Sequence, residues 1–453
     1  MLNGISPMRR LVSGAALGLG MMAAPMLSGA VSAQNSDLTS AVQQDYGYLH
    51  DLYVHLHQNP ELSYQEKDSM ERVARELSDV GFDVTTGVGG HGLVGVLKNG
   101  DGPTVLVRSD LDALPVKEQT GLPFASDVTT TDDQGNTVPV MHACGHDLHM
   151  TTLVGTARRL AALRDQWSGT LVMIGQPAEE RVTGAEAMLE DGLFENFPLP
   201  DYNLALHVSA SLPSGKLGLT EGYALANVDS VDVHFFGEGG HGAYPHTTKD
   251  PVIMASQTVV ALQTLVSREI SPLDPGVVTV GSIHAGTKHN IISDEAHLQL
   301  TVRSYKDSVR NQLVSGIERI ARAQAMSVGM PEEKWPDVSV SESTPSTYND
   351  PALTRRIKTG FEETFGAERV EMVPPVMAAE DFALYGRTSH DIPSLIFWLG
   401  GASPEAVAKA EESGNALPSL HSPFFAPDVE IALPQGVRAM TTAVLDLMKE
   451  NTQ

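Results

Sequence analysis

The chain has 453 residues, with 56 Asp plus Glu against 30 Lys plus Arg, a mean hydropathy of -0.09 and one cysteine. Its net charge of -26 excludes a nucleic-acid backbone or an anionic lipid surface as main partner, since those require clustered Lys and Arg; one cysteine excludes an internal disulfide. The length suits two domains with ample cores, and the composition suits an enzyme acting on small molecules.

Arg9 and Arg10 precede an apolar run from Leu11 to Leu27, and Val31-Ser32-Ala33 offers a small-x-small cleavage site before Gln34. This pattern predicts a secretory signal peptide over residues 1–33 and an exported protein, periplasmic or secreted. The run holds glycines, serines and Pro25 and falls short of the ~20 apolar residues that span a bilayer. Helical spacing follows from Asp37 to Leu77, interrupted at Asn59-Pro60. Strand-like runs come next at Asp83–Val84 and Leu93–Leu97.

Thr104–Arg108 reads as a buried strand with Ser109-Asp110 at its C-terminal tip. Thr170–Gly175 ends in Gln176-Pro177-Ala178-Glu179-Glu180, and Asn203–Leu206 ends in His207. Helical stretches at His149–Leu163 and Gly184–Leu189 complete an alternating βα order. Ligand sites of open α/β sheets lie at the carboxyl ends of the strands, so the three tips can converge.

From Ala226 to Ala325 the pattern changes. Strands at Ser230–Phe236, Val277–Ile283 and His297–Tyr305 alternate with helices at Pro251–Ser267 and Ser308–Met326, a two-layer unit of its own. Gly329–Pro345, rich in Pro, Glu and Ser, reads as the linker back to the first domain, which resumes with a strand at Ser394–Leu399 and a final helix at Leu433–Met448. The boundaries are residues 34–225 and 337–453 for the first domain and 226–336 for the insertion.

The densest chemical cluster is His142-Ala-Cys144-Gly-His146-Asp147-Leu-His149. Cys144 and His146, two apart, share one side of an extended loop, and a thiolate beside an imidazole suits zinc or a similar ion. A buried structural thiol and a Cys-His nucleophilic pair compete with that reading. Glu179-Glu180 adds adjacent carboxylates pointing different ways, one able to bind metal and the other to act as general base; His207 and His421 add imidazoles. Gly239-Gly240-His241 could project a histidine from a glycine turn, and Arg303 would make a carboxylate fork if it faced a cleft.

Arg108-Ser-Asp-Leu-Asp-Ala-Leu-Pro115, Met141-His-Ala-Cys-Gly-His-Asp147, Gln176-Pro-Ala-Glu-Glu180, the Gly-Gly-His turn at 239–241 with Pro245-His246, and Leu420-His421-Ser-Pro423 resemble, in order and spacing, the binuclear metallopeptidase family of aminoacylases, hippurate hydrolases, carboxypeptidase G-type enzymes and auxin-conjugate hydrolases. The N-acyl-amino-acid amidohydrolase branch is most similar. The resemblance implies an α/β, zinc-exopeptidase-like catalytic domain with an inserted α+β, ferredoxin-like lid and dimerisation domain. It also implies two divalent ions per subunit, zinc foremost, with manganese, cobalt or nickel as alternatives. The implied ligands are Cys144, His146, Glu180, His207 and His421, with Cys144 bridging. Glu179 matches the general base, His241 the lid histidine that reaches a partner's active site in family homodimers, and Asn290 with Arg303 the pair holding the substrate carboxylate.

Three departures stand out. Arg108 occupies the place where peptidase branches carry a histidine ligand, so His146 takes over and Asp110 loses its orienting task. His289-Asn290-Ile291-Ile292-Ser293 lacks the proline usual after Asn-x-Ile, and the Leu122–Val138 insert can reshape the pocket rim. The expected activity is amide cleavage of N-acyl-amino acids, hippurate-like or N-acetyl. The alternatives are a dipeptidase or carboxypeptidase, a Cys144–His146 thiol hydrolase, and a silent metal-binding protein.

Overall fold

The computed structural model describes residues 25–449, with side chains from residue 37. The signal peptide expected over residues 1–33 lies outside the described residues up to residue 24, and the first helix, Pro25–Gln58, covers the rest of it. Among the described residues no helix is long and apolar enough to cross a membrane.

The larger domain is built on an eight-stranded mixed sheet in the spatial order Asp83–Val88, Gly92–Asn99, Gly169–Gln176, Thr104–Asp110, Tyr202–Pro213, Ser394–Ala402, Leu217–Leu219, Val370–Met372. The strands from Gly169–Gln176 to Ser394–Ala402 in that order are mutually parallel. Their apolar residues feed both faces in alternation, as the period of two requires. Val105, Val107, Leu171, Met173, Leu204 and Leu206 enter one core with the helices His146–Ala162 and Val429–Met448. Leu106, Val172, Ile174 and Ala205 enter the other, with the helix Gly184–Glu190. Helices thus cover both faces, as near-continuous apolar parallel strands demand, and the expected α/β class is observed.

The inserted domain, expected to act as a lid, has its own core and a four-stranded antiparallel sheet, ordered Gly276–Ala285, Glu295–Ser304, Asn227–Phe236, Asp337–Thr344. Helices Pro251–Thr264 and Asp307–Ser327 supply that core from one face only, the arrangement of a ferredoxin-like unit. The last strand corrects the reading of Gly329–Pro345 as a linker ending the lid at residue 336. Asp337-Val-Ser-Val-Ser341 alternates polar and apolar residues, and Val338 packs on the lid core. Its Ser and Glu content, which suggests a linker, is that of an edge strand wet on one side. The connections between domains run side by side, Gly222–Leu225 paired with Thr347–Asn349.

A buried ion group fastens the first helix to the segment that carries the chemistry. His57 Nδ1 lies 2.6 Å from Asp147 Oδ2 and Nε2 lies 3.2 Å from Glu118 Oε1. Burial opposes the imidazolium, but these two hydrogen bonds outweigh it and raise His57 to about 10. The folded state therefore holds this proton more tightly than the unfolded chain, and the stabilisation is whole below about pH 6.5 and lost as pH rises through about 10. His57→Gln is expected to lower unfolding free energy by about 3–5 kcal/mol near pH 6, with the gap to wild type closing by pH 10. Urea denaturation across that range checks it; a gap independent of pH would contradict the assignment.

Candidate metal and catalytic centre

The parallel register places Asp110 opposite Gln176, so the ends of two central strands meet. His207 stands within the longer strand Tyr202–Pro213, opposite Trp398, rather than at the tip expected after Leu206. Between them comes the Cys144 segment. Here the two-residue spacing works through a turn and not an extended loop: Gly145 has φ of 81° and His146 opens the helix His146–Ala162. A Cβ at Gly145 would stand 2.6 Å from Val208 Cγ1, so both the dihedral and the space require glycine.

Glu179 and Glu180 sit on a short helical turn bracketed by Ala178 at φ 48° and Val182 at φ 51°, both left-handed. His421 is also left-handed, at φ 66°. Such conformations cost about 1–3 kcal/mol each and persist where the surroundings over-determine them. Glu66 Oε1 accepts from the Ala178 amide at 2.8 Å, Asp112 Oδ2 from the Glu180 amide at 3.0 Å, and the Ala143 carbonyl from the His421 amide at 2.9 Å.

These contacts orient the donor atoms. His146 Nδ1 is 2.7 Å from the Asp112 carbonyl, which leaves Nε2 facing Asp110 Oδ2 at 3.6 Å and Glu179 and Glu180 at 3.8 Å each. His207 Nδ1 is 2.8 Å from the Val208 carbonyl, leaving Nε2 3.5 Å from Cys144 Sγ. His421 Nε2 is 3.5 Å from Glu180 Oε2. Several donor sets result, each with atoms within 4.8 Å of one another, among them Asp110–His146–His149, His146–Glu179–Glu180, Cys144–His146–His207 and Cys144–Glu180–His421. The last two share Cys144, as a bridging ligand must be shared.

The electrostatics fit cations. His146 Nε2 and Glu180 Oε1 are buried without a hydrogen-bond partner, a costly state for such groups. Burial, then Glu380 and Glu180, pushes Glu179 well above the usual carboxylate range. Burial likewise raises Glu180 against the pull of His146, and burial followed by Glu180 and Glu179 pushes the Cys144 thiol well up. Each of these groups would ionise beside a divalent ion, and the mix of sulfur, imidazole and carboxylate suits zinc or a similar borderline ion.

Arg108 is the counter-charge on the other side of Glu179. Fully buried, it donates to Glu380 at 2.7 Å, Asp110 at 2.8 Å, Asp381 at 3.3 Å and Gln176 at 2.9 Å. Asp110 is not idle: its Oδ1 lies 2.8 Å from His149 Nδ1, whose Nε2 accepts from the Val208 amide at 2.9 Å. With both nitrogens engaged, His149 braces the site and is no ligand. Glu380-Asp381, Asp112 and Glu66 went unrecognised in the sequence; the signal available was an acidic pair, Glu380-Asp381, set between Ala378-Ala379 and Phe382.

A cavity of about 520 Å³ opens over the centre, lined on the catalytic side by Cys144, Glu179, Glu180, His207, Trp398 and His421, and on the lid side by Val228, Ser230, Thr301, Arg303 and Glu342. Arg303 Nη1 donates to the Met377 carbonyl at 2.7 Å. His241 and Asn290 lie elsewhere on the lid. They are exposed neighbours, with the Gly242 amide donating to the Asn290 carbonyl at 2.9 Å, and neither lines this cavity. The Leu122–Val138 insert forms a small hairpin, Thr129–Thr131 with Thr137–Pro139, that does not line the cavity either; Asp133 reaches the rim through Arg181, which also binds Glu342 of the lid at 2.7 Å. A larger cavity of about 600 Å³ between the N- and C-terminal helices has neither histidine nor cysteine in its lining.

Fold and site together define a two-domain α/β protein with a candidate metal centre at the ends of its parallel strands, beneath the smaller domain. The sequence profile of peptidase family M20/M25/M40 matches residues 106–421. Hippurate hydrolase of Campylobacter jejuni is 36% identical over 337 residues, 73% of this chain and 82% of that one. Thermostable carboxypeptidase 2 of Saccharolobus solfataricus is 34% identical over 404 residues, 87% of this chain and 95% of that one. A Bacillus subtilis structure described as a dinuclear metal binding peptidase from the M20 family is similar at a TM-score of 0.71 and 28% identity, covering 90% of this chain and 99% of that one. This chain belongs to peptidase family M20/M25/M40, and it is an enzyme of that metallopeptidase and amidohydrolase family.

Replacing Arg108 by Met would leave Asp110, Glu380 and Asp381 buried without their shared cation. The expected loss is about 3–5 kcal/mol of unfolding free energy, read by urea denaturation at neutral pH. A loss under about 1 kcal/mol would show that the cluster is not dependent on this guanidinium.

Proposed function

We propose that the protein is an exported, metal-dependent amidohydrolase that cleaves N-acyl-amino acids, hippurate-like or N-acetyl, into a carboxylic acid and an amino acid. The observation that carries this reading is the position of Glu179, buried between the donor sets and the Arg108 cluster and bordering a cavity whose lid side presents Arg303. Two divalent ions held by Cys144, His146, Glu180, His207 and His421 would supply Lewis-acid polarisation of an amide carbonyl and acidify water. Glu179, its proton affinity raised by burial, is suited to take the proton of the attacking water and return it to the leaving nitrogen. Arg303 offers a guanidinium to the free carboxylate of the amino-acid half, and Trp398, Leu225 and Leu420 give the cavity apolar wall for an acyl group.

His241 and Asn290 support a homodimer. Both are exposed and away from their own cavity, so they could complete the site of a second subunit, where His241 would steady the tetrahedral oxyanion. The apolar run from Leu11 to Leu27, followed by the small-x-small site Val31-Ser32-Ala33, supports export. A second reading, a carboxypeptidase or dipeptidase, draws on the similarity to the Saccharolobus carboxypeptidase and uses the same centre; it differs in whether the acyl half carries a free amine. The thiol-hydrolase alternative is disfavoured by the Cys144 thiol, which burial and two carboxylates hold protonated.

Glu179→Gln is expected to keep its metal by elemental analysis while losing about a thousandfold in turnover. Release of amino acid within tenfold of wild type would reject the general-base role. Chelation should abolish release from N-acetyl, N-benzoyl or dipeptide substrates, and one added ion should restore it; release that survives chelation would shift the case to Cys144 as nucleophile. Mixing inactive Glu179→Ala and His241→Ala variants under conditions of subunit exchange should recover part of the activity, and verified mixed dimers without recovery would contradict action across the interface.

A further inference from the structure

The lid sheet carries a second convergence of imidazole and carboxylate, outside the cleft. Its helix-free face lines the cavity at Ser230, Thr301 and Arg303 and continues outward along the same strands. Asp232 and His234 are two apart on the strand Asn227–Phe236 and so share that face. His297, on the neighbouring strand, stands directly opposite His234 in the ladder. The rings of His234 and His297 are stacked, 4.0 Å apart with 10° between their planes. His297 Nε2 lies 2.7 Å from Asp232 Oδ1. One donor atom from each of the three falls within 4.8 Å of one from each of the others.

A ladder fixes the backbones of such a set. Two donors at i and i+2 on one strand, with a third directly across, start at Cβ separations of about 5–7 Å. Tetrahedral zinc with bonds near 2.0–2.2 Å wants its donors about 3.3 Å apart, so the two rings must turn out of their stacked arrangement to bring their in-plane lone pairs onto one ion, a side-chain movement that leaves the sheet in place. Gln299 Nε2 donates to Asp232 Oδ1 at 3.2 Å, and Ser341 Oγ approaches Oδ2 at 3.4 Å, contacts that orient the carboxylate as outer partners of metal ligands do. The row extends to the edge strand, where His284 stands opposite His297 and offers a fourth donor. The three side chains are partly buried, which limits competition from bulk water while keeping an entry path.

We propose that Asp232, His234 and His297 form a further divalent-metal site on the lid, selective for zinc or a neighbouring transition ion and separate from the catalytic centre. Occupancy would rivet two central lid strands, one of which carries Arg303. It takes no part in the hydrolytic step.

Equilibrium dialysis of the whole enzyme against buffered micromolar zinc, followed by elemental analysis, should find one ion fewer per chain in His297→Gln and in His234→Ala than in wild type, with amide hydrolysis retained. The rise in Tm that added zinc gives wild type should shrink in both variants. Equal metal content in wild type and folded variants would overturn the proposal. Should the variants fail to fold, anomalous diffraction at the zinc edge from wild-type crystals grown with zinc decides independently: a peak between Asp232, His234 and His297 supports the site, and peaks confined to the Cys144 region overturn it.

Discussion

The molecule is organised around a surplus of buried negative charge at the ends of its central strands. Asp110, Asp112, Glu179, Glu380 and Asp381 are all buried, Glu180 points into the same space, and Arg108 is the buried guanidinium among them. In a low-dielectric interior such a concentration opposes folding unless positive charge is supplied. Arg108 answers for one side, where Asp110, Glu380 and Asp381 converge. The other side, around Glu180, Cys144 and the imidazoles of His146, His207 and His421, is left with unpartnered buried atoms, and divalent cations are the natural complement.

The two halves of that arrangement have different chemical consequences. On the Arg108 side the carboxylates are committed to hydrogen bonds and hold the strand ends in register. On the Cys144 side the donor atoms are aimed but unspent, because two of the imidazoles have their other nitrogen occupied by a backbone carbonyl: His146 by Asp112 and His207 by Val208. Glu179 lies between, where burial and its carboxylate neighbours Glu380 and Glu180 raise its proton affinity, as the proposed general base that also acts as an acid requires. Left-handed residues at Ala178, Val182 and His421 show that the backbone itself is bent to serve this placement. The lid adds Arg303 from above through a rigid sheet, and the paired connections at Gly222–Leu225 and Thr347–Asn349 set where that sheet can stand.

Much of this was legible in the sequence because it obeys local periodicity. The apolar runs at Thr104, Thr170 and Asn203 are strands, their C-terminal groups do converge, and the motif resemblance led to the right family. What escaped were features set by long-range contact or by a local rule in conflict with composition. Glu380 and Asp381 meet Arg108 across more than half the chain, and no spacing rule links them. Asp337–Thr344 was hidden by its Ser and Glu content, although its alternation marks an edge strand. Gly145 makes the Cys144–His146 pair work through a positive φ that no two-residue spacing reveals. His149, three residues after His146 in the same motif, is a brace because Val208 and Asp110 claim both of its nitrogens.

The central claim is that cations held through the shared Cys144 sulfur complete this centre. Cobalt substitution with absorption spectroscopy tests it most directly, since a thiolate bound to cobalt gives an intense near-ultraviolet charge-transfer band. The account predicts that band in the cobalt-loaded wild type and its loss in Cys144→Ser with the protein still folded. A cobalt-loaded, active wild type without the band, or a band that persists after the substitution, would contradict it.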